Sequence, residues 1–294
     1  MHPLPSGSTD PSPGPSDRRM DSAAGDGDLI IGEHQVQDAS ADLRRSEIRQ
    51  REIINAFVDL SHELVEDYDV VDVLSQLTGH CAHLLDIASA GLLIANERGV
   101  LHLAAASSER THHLEIFQIK RDEGPCRDCF HSGQAVLVPD LEAEMERWPH
   151  FCQAASAVGF RSVHALPMRL SGDVLGALGL FGDKPGALDT EDLALAQALL
   201  HVASVAIVND RSATGRATVN SQLQQALTSR IVVEQAKGAI AHAGDLNMED
   251  AFDVLRRYAR DHGTKLSIIA SQVVDRDLQY ETLIQHAHSV TKRP

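Results

Sequence analysis

RSVHALPMRLSGDVLGALGLF, residues 161–181, is the stretch that decides the fold. Two apolar-rich runs, Arg161–Leu170 and Val174–Phe181, flank Ser171-Gly172-Asp173. A glycine among small polar residues turns the chain tightly, and the runs on either side then pair as a β-hairpin. Working back towards the N-terminus, AGLLIA (90–95), NERG (96–99) and VLHLAA (100–105) repeat the run–turn–run pattern and predict a second hairpin. AVLV (135–138), ended by Pro139, predicts a lone strand.

Helical periods separate these strands. Ile53, Phe57, Leu60 and Leu64 recur at i, i+4, i+7 and i+11, which builds one apolar helix stripe. Val70–Leu85, Arg110–Phe117, Leu141–Ala157 (broken at Pro149) and Thr190–Val208 also read as helices, with Asp189 or Thr190 capping the last. Between two of them KRDEGPCRDCFHSGQ (120–134) reads as a loop. The order predicts an α+β unit: an antiparallel sheet with helices on one face and at the ends.

The chain has 294 residues, with 42 acidic and 26 basic side chains and a formal charge of −16. Residues 217–294 hold nine of each sign, so the whole deficit lies before them. That asymmetry predicts two units with different partners. A 43% hydrophobic content excludes disorder throughout, and the strong acidity argues against nucleic-acid or anionic-membrane binding by the whole surface. No stretch reaches the roughly 18–20 apolar residues of a membrane helix. No basic-then-apolar leader opens the chain, and four cysteines are too few for a disulfide scaffold, so a reduced, cytoplasmic protein is expected. Residues 1–28, rich in Pro, Gly, Ser and Asp, predict a disordered tail, taken to extend to residue 39.

Beyond the polar linker RSATGRATVN (211–220), three short amphipathic helices are predicted. The first, Val219–Ala241, carries Leu223, Leu227, Ile231 and Val232 on one face and is stopped by Gly244. The second starts at the N-cap Asn247, buries Ala251, Phe252, Leu255 and Ala259, and ends at Gly263. The third, Lys265–Leu278, turns Leu266, Ile269, Ala270, Val273 and Val274 inward. Together they predict a small three-helix bundle.

The helix–hairpin order, the EGPC loop (123–126), AVLVPDL (135–141), and the late hairpin with Gly176, Leu178, Gly179 and Leu180 resemble a GAF domain over about Glu52–Asp210. That resemblance implies a small-molecule sensor and dimerisation module. The C-terminal helices are similar to an ANTAR domain, a bacterial RNA-binding module. The likeness is carried by Leu227, Ser229-Arg230, Glu234-Gln235-Ala236-Lys237-Gly238, Glu249, Ala251-Phe252, Leu255-Arg256, Ala259, Leu266, Ala270 and Val274. Ala239-Ile240-Ala241 and His242 depart from the larger apolar and charged residues usual after Ala-Lys-Gly in that family. The pairing implies an antitermination regulator that binds paired stem-loops in a nascent mRNA leader and keeps a terminator from forming. The expected domains are 40–212 for the sensor and 213–294 for the RNA-binding unit, within a homodimer.

RNA loops need hydrogen-bond donors and stacking surfaces, and phosphates need cations. Arg230 and Lys237 are seven apart and share a helix face. With Arg256, Arg257 and Lys265 they form the expected RNA-binding set, with Arg260 nearby. Each is also readable as a solvated helix charge. Tyr258 either stacks a base or packs on the bundle, and Gly238 implies a close neighbour, RNA or the second helix. In the EGPC segment, Cys126 and Cys129 admit three readings. They hold a metal, they form a redox or thiol-sensing pair at a helix N-terminus, or they pack as small hydrophobes. Two other functions compete: a helix-turn-helix DNA binder formed by the second and third helices, and a thiol enzyme like the GAF-type methionine sulfoxide reductases. No resolving-cysteine pattern, P-loop or metalloprotease motif supports the enzyme, so no catalytic residue is expected.

Overall fold

The computed structural model describes residues 44, 46–61, 69–208 and 216–290. The tail expected over residues 1–39 and the first half of the linker expected at 211–220 lie outside the described residues, as does Leu64, while residues 216–220 are helical rather than linker. Residues 44 and 46–48 are helical and exposed. From residue 49 onward the chain forms one unit.

The hairpin of residues 161–181 forms as expected. Strands β4 (Ser162–Leu170) and β5 (Asp173–Gly182) pair antiparallel, with Leu170 opposite Asp173. Ser171 and Gly172 make the two-residue loop with φ of 51° and 95°. Two successive positive φ values match the twist of the flanking strands, which is why a glycine stands there. Strands β1 (Ser89–Ala95) and β2 (Leu101–Ala106) form the early hairpin, and β3 (Val136–Val138) pairs with β4. The sheet order is β2-β1-β5-β4-β3, with every neighbour antiparallel.

Both faces of the sheet are covered, against the expectation of helices on one face and at the ends. Helix α1 (residues 49–61), α2 (Val70–Leu84) and α6 (Thr190–Val208) pack on the face bearing Leu92, Ile94, Leu166 and Leu178. Helices α3 (Glu109–Arg121), α4 (Pro125–Ser132) and α5 (Pro149–Ala157) pack on the face bearing Leu93, Val163, Ala165 and Phe181. Alternate residues of β1 thus enter different cores, and all seven are buried. A strand covered on both sides loses the apolar–polar alternation of a half-exposed one, which is why AGLLIA reads as a continuous run. A short 3-10 turn, Leu141–Glu144, precedes α5 and takes up the break expected near Pro149. The segment read as a loop at 120–134 contains α4, with Gly124 as N-cap and Pro125 in its first turn. A proline there costs nothing, because its missing N–H would have no helical partner.

The C-terminal region comprises α7 (Arg216–Gly244), α8 (Met248–Asp261), α9 (Leu266–Val274) and α10 (Tyr280–Val290). The fourth helix was not expected: α10 adds Leu283 and Ile284 to the core made by Val233, Ile240, Leu255 and Ile269. The caps follow the sequence. Asn247 Oδ1 accepts from Asp250 N at 2.8 Å, and Asp189 Oδ1 accepts from Asp192 N at 2.7 Å. The buried face of α7 is rotated from the expected one. Ile231 is 60% exposed, whereas Arg230, Val233, Ala236 and Lys237 are buried. Val274 likewise faces out, at 37%. The rotation has a physical cause, which is that α7 packs against the sheet-bearing region as well as its own bundle.

Among the described residues no helix is long and apolar enough to cross a membrane.

Candidate functional site

The cations expected to face RNA meet carboxylates and a carbonyl of the sheet-bearing region. The Arg230 guanidinium donates to the carbonyl of Ala104 in β2 and lies 3.4 Å from His112 Nδ1 in α3. Lys237 Nζ lies 3.0 Å from Glu109 Oε1, at the first turn of α3, and 2.8 Å from Glu234 Oε2 on its own helix. Glu234 also reaches Arg230 at 3.2 Å. Arg256 Nε, on α8, lies 2.7 Å from Asp72 Oδ1 in the first turn of α2. Helical spacing explains the cluster: Arg230, Glu234 and Lys237 sit at i, i+4 and i+7, one stripe of α7.

Burial shields these contacts from water. The side chains of Arg230, Lys237 and Arg256 are 10%, 8% and 24% exposed. Burial lowers the Arg230 pKa against the opposing pull of Glu234 and Glu109. For Glu234 burial pushes upward, but Arg230 and Lys237 outweigh it and hold the carboxyl below its ordinary range. His112 is lowered, chiefly by burial, and so is neutral beside the arginine at neutral pH. A cleft of about 300 Å³ runs between the two regions, lined by Ser107, Glu109, Lys237, Phe252 and Arg256 among others.

The remaining expected residues lie elsewhere. Arg257 is exposed on the outer side of α8, and Lys265 is the N-cap residue of α9. Tyr258 stacks on His262 with ring centroids 4.0 Å apart and meets His286 edge-on at 5.3 Å, so its face is used within the bundle. Gly238 has open space where a Cβ would stand, with nothing within 4 Å, so the second helix does not approach it closely.

The cysteine segment builds a second, wholly buried cluster. Cys126 and Cys129 lie on α4, both fully buried. The Cys126 thiol donates to Glu115 Oε1 at 3.5 Å, and its backbone N–H donates to Gln118 Oε1 at 3.0 Å. Gln118 Nε2 in turn donates to Glu115 Oε2 at 2.6 Å. Burial pushes the Glu115 carboxyl up to about 8 and Cys129 up to about 12. Cys126 is raised well above its ordinary value by burial and by Glu115. The lowered thiol pKa expected at a helix N-terminus is therefore overturned by desolvation and a neighbouring carboxyl. Room for the cluster comes from Gly91 and Gly179, which face each other across β1 and β5. A Cβ on either would stand 2.9 Å or 2.8 Å from Glu115 Oε1. Among the described residues no group of three His, Cys, Asp or Glu is placed to hold a metal ion.

Glu115 and Gln118 were not among the expected site residues. Their signal is positional: with Thr111 and Leu114 they occupy i, i+3, i+4 and i+7 of α3, a buried stripe holding three polar side chains. Asp72 and Glu109 carry no such signal, because first-turn acids are ordinary at helix starts.

Comparison with known proteins matches these regions to two family models, a GAF domain over residues 67–208 and an ANTAR domain over residues 221–274. No curated protein matches the chain. Among solved structures, the GAF domain of a phosphoenolpyruvate-protein phosphotransferase from Coxiella burnetii is similar at 14% identity, covering 55% of this chain and 96% of that one, with a TM-score of 0.43. A free methionine-R-sulfoxide reductase from Neisseria meningitidis is similar at 16% identity, over 55% of this chain and 92% of its own, also with a TM-score of 0.43. The GAF region of a membrane protein from Geobacter sulfurreducens is similar at 19% identity, over 53% and 97%, with a TM-score of 0.40. The sheet with its covering helices and the helical region beyond it are thus accounted for together: the chain carries a GAF domain followed by an ANTAR domain.

Proposed function

We propose that the chain is a signal-responsive transcription antitermination regulator. Its ANTAR domain binds paired stem-loops in nascent mRNA leaders, and its GAF domain receives a small-molecule or redox signal. The observation that supports this reading most is the ANTAR match together with Arg230, Lys237 and Arg256, which line one cleft from facing turns of α7 and α8. Guanidinium forks and an ammonium suit phosphate oxygens and base edges. The chain then acts as a homodimer in the cytoplasm, where transcripts emerge, with residues 40–212 as sensor and 213–294 as RNA-binding unit. It catalyses no reaction in this reading.

Crosslinking of the protein to RNA in its host, followed by sequencing of the recovered RNA, tests the proposal. Leader transcripts with two adjacent stem-loops are expected, and Arg230→Ala or Lys237→Ala should lower their recovery by about tenfold, the scale of one lost charged contact. Recovery of duplex DNA instead, or of RNA no more enriched than with both variants, would overturn it.

A further inference from the structure

We infer that the GAF domain is a direct inhibitor of the RNA-binding face, because its own acceptors occupy the cations that RNA would need. The inference rests on the reading of Arg230, Lys237 and Arg256 as RNA contacts. Each is engaged by a different element of the GAF domain: Ala104 of β2, Glu109 of α3 and Asp72 of α2. A backbone carbonyl and two carboxylates are the same class of acceptor as base-edge and phosphate oxygens. With two of the three side chains 10% exposed or less, a phosphate cannot reach them while the domains stay together. RNA and the GAF surface therefore compete for one set of donors.

The seam is built to part. Among the described residues, Val71 of α2 is the GAF residue that enters the ANTAR core. Beside it, Asp69 uses one carboxylate oxygen to cap α2, accepting from Val71 N at 2.9 Å. The other oxygen accepts from Ser267 N of α9 at 2.6 Å. A seam of ion pairs and caps around one apolar plug behaves as a transient interface rather than a shared core. Linkage then sets the consequence: RNA affinity is reduced by the fraction of chains that are open, so weakening the seam from the GAF side strengthens RNA binding without adding any contact to RNA.

The test uses the full chain carrying Asp72→Asn and Glu109→Gln. These changes remove the two negative charges that pair with Lys237 and Arg256 and leave all three cations. Spin labels at the exposed sites His113→Cys on α3 and Gln285→Cys on α10 report the separation of the domains without RNA. The RNA probe is a synthetic pool of paired stem-loops with randomised loops, with binding read by fluorescence anisotropy. The label distance should lengthen, and the pool should bind about tenfold tighter or more. Adding Arg230→Ala to the opened chain should then abolish the gain. A control, Glu249→Gln with Asp253→Asn, removes two cleft carboxylates that hold none of the three cations, and should leave affinity nearly unchanged. Four results overturn the inference: an unchanged label distance, a lengthened distance without tighter binding, a gain that survives Arg230→Ala, or an equal gain in the control. If the opened chain and the wild type both ignore every RNA in the pool, the RNA reading itself fails, and the label distance shows that failure separately. Should the double variant not fold, Val71→Ser opens the same seam through its apolar plug and is read the same way.

Discussion

Replacing Glu115 by Gln perturbs the most heavily desolvated acid of the GAF domain. In the folded chain the carboxyl ionises near 8 because burial disfavours its charge, whereas its ordinary value is 4.5. Between those values the folded chain keeps a proton that the unfolded chain has lost. Stability contributed by that proton is full below 4.5 and drains away as pH rises towards 8. At about 1.4 kcal/mol per pH unit, the loss over the whole window is on the order of 5 kcal/mol, of which about 2 kcal/mol falls between pH 6 and pH 8. Gln at 115 has no proton to lose and keeps an amide for the contact with Gln118. The variant should therefore gain about 2 kcal/mol relative to the wild type when the pair is compared at pH 6 and at pH 8. Urea unfolding followed by fluorescence of Trp148, the chain's one tryptophan, reports on the core beside this cluster. His80, His112 and His164, each lowered chiefly by burial, titrate identically in both proteins and cancel in the difference. Cys126 stays a thiol throughout. Parallel pH profiles for the two proteins would refute the reasoning, since the folded chain would then carry Glu115 as an ordinary carboxylate.

Two further outcomes follow from packing. Gly176→Ala places a Cβ 2.0 Å from the Leu93 carbonyl oxygen of the neighbouring strand, against backbone atoms of Leu93 and Ile94 that cannot move aside. It should cost about 3 kcal/mol and lower the melting temperature by roughly 6 °C or more, and a melting curve within a degree of the wild type would contradict it. All four cysteines are buried, with Cys81 pushed up to about 12 and Cys152 to about 11 by burial. The native chain at pH 8 should thus resist iodoacetamide for a period in which the urea-unfolded chain is fully alkylated, as read by intact mass; rapid modification of Cys126 or Cys129 would show a thiolate that the fold leaves exposed.

Local chemistry was legible along the chain wherever one short segment contained the whole cause. Ser171-Gly172 announced its turn because only small or glycine residues tolerate two positive φ values in succession. Asn247 and Asp189 announced their helices because a cap acts within three residues. The helix α4 was missed since Gly124-Pro125 reads as a break, although the same pair starts a helix when the turn is already made. The fourth C-terminal helix was missed because its stripe is short, with Leu283 and Ala287 as its buried positions.

The amino-acid sequence by itself determined the α+β order, the two domains and the identity of the cations on α7 and α8. Periodicity, caps and turns depend on neighbours a few residues away, and those are written in order. Only the tertiary structure decided that Arg230 and Lys237 face inward, that a carboxyl at 115 is desolvated between two glycines, and that the thiols of α4 are raised rather than lowered. Each of those facts depends on groups brought together from up to 128 positions away. Charge and polarity alone do not say whether a side chain will meet water, RNA or another part of its own chain; that is set by the surface that folding puts in front of it.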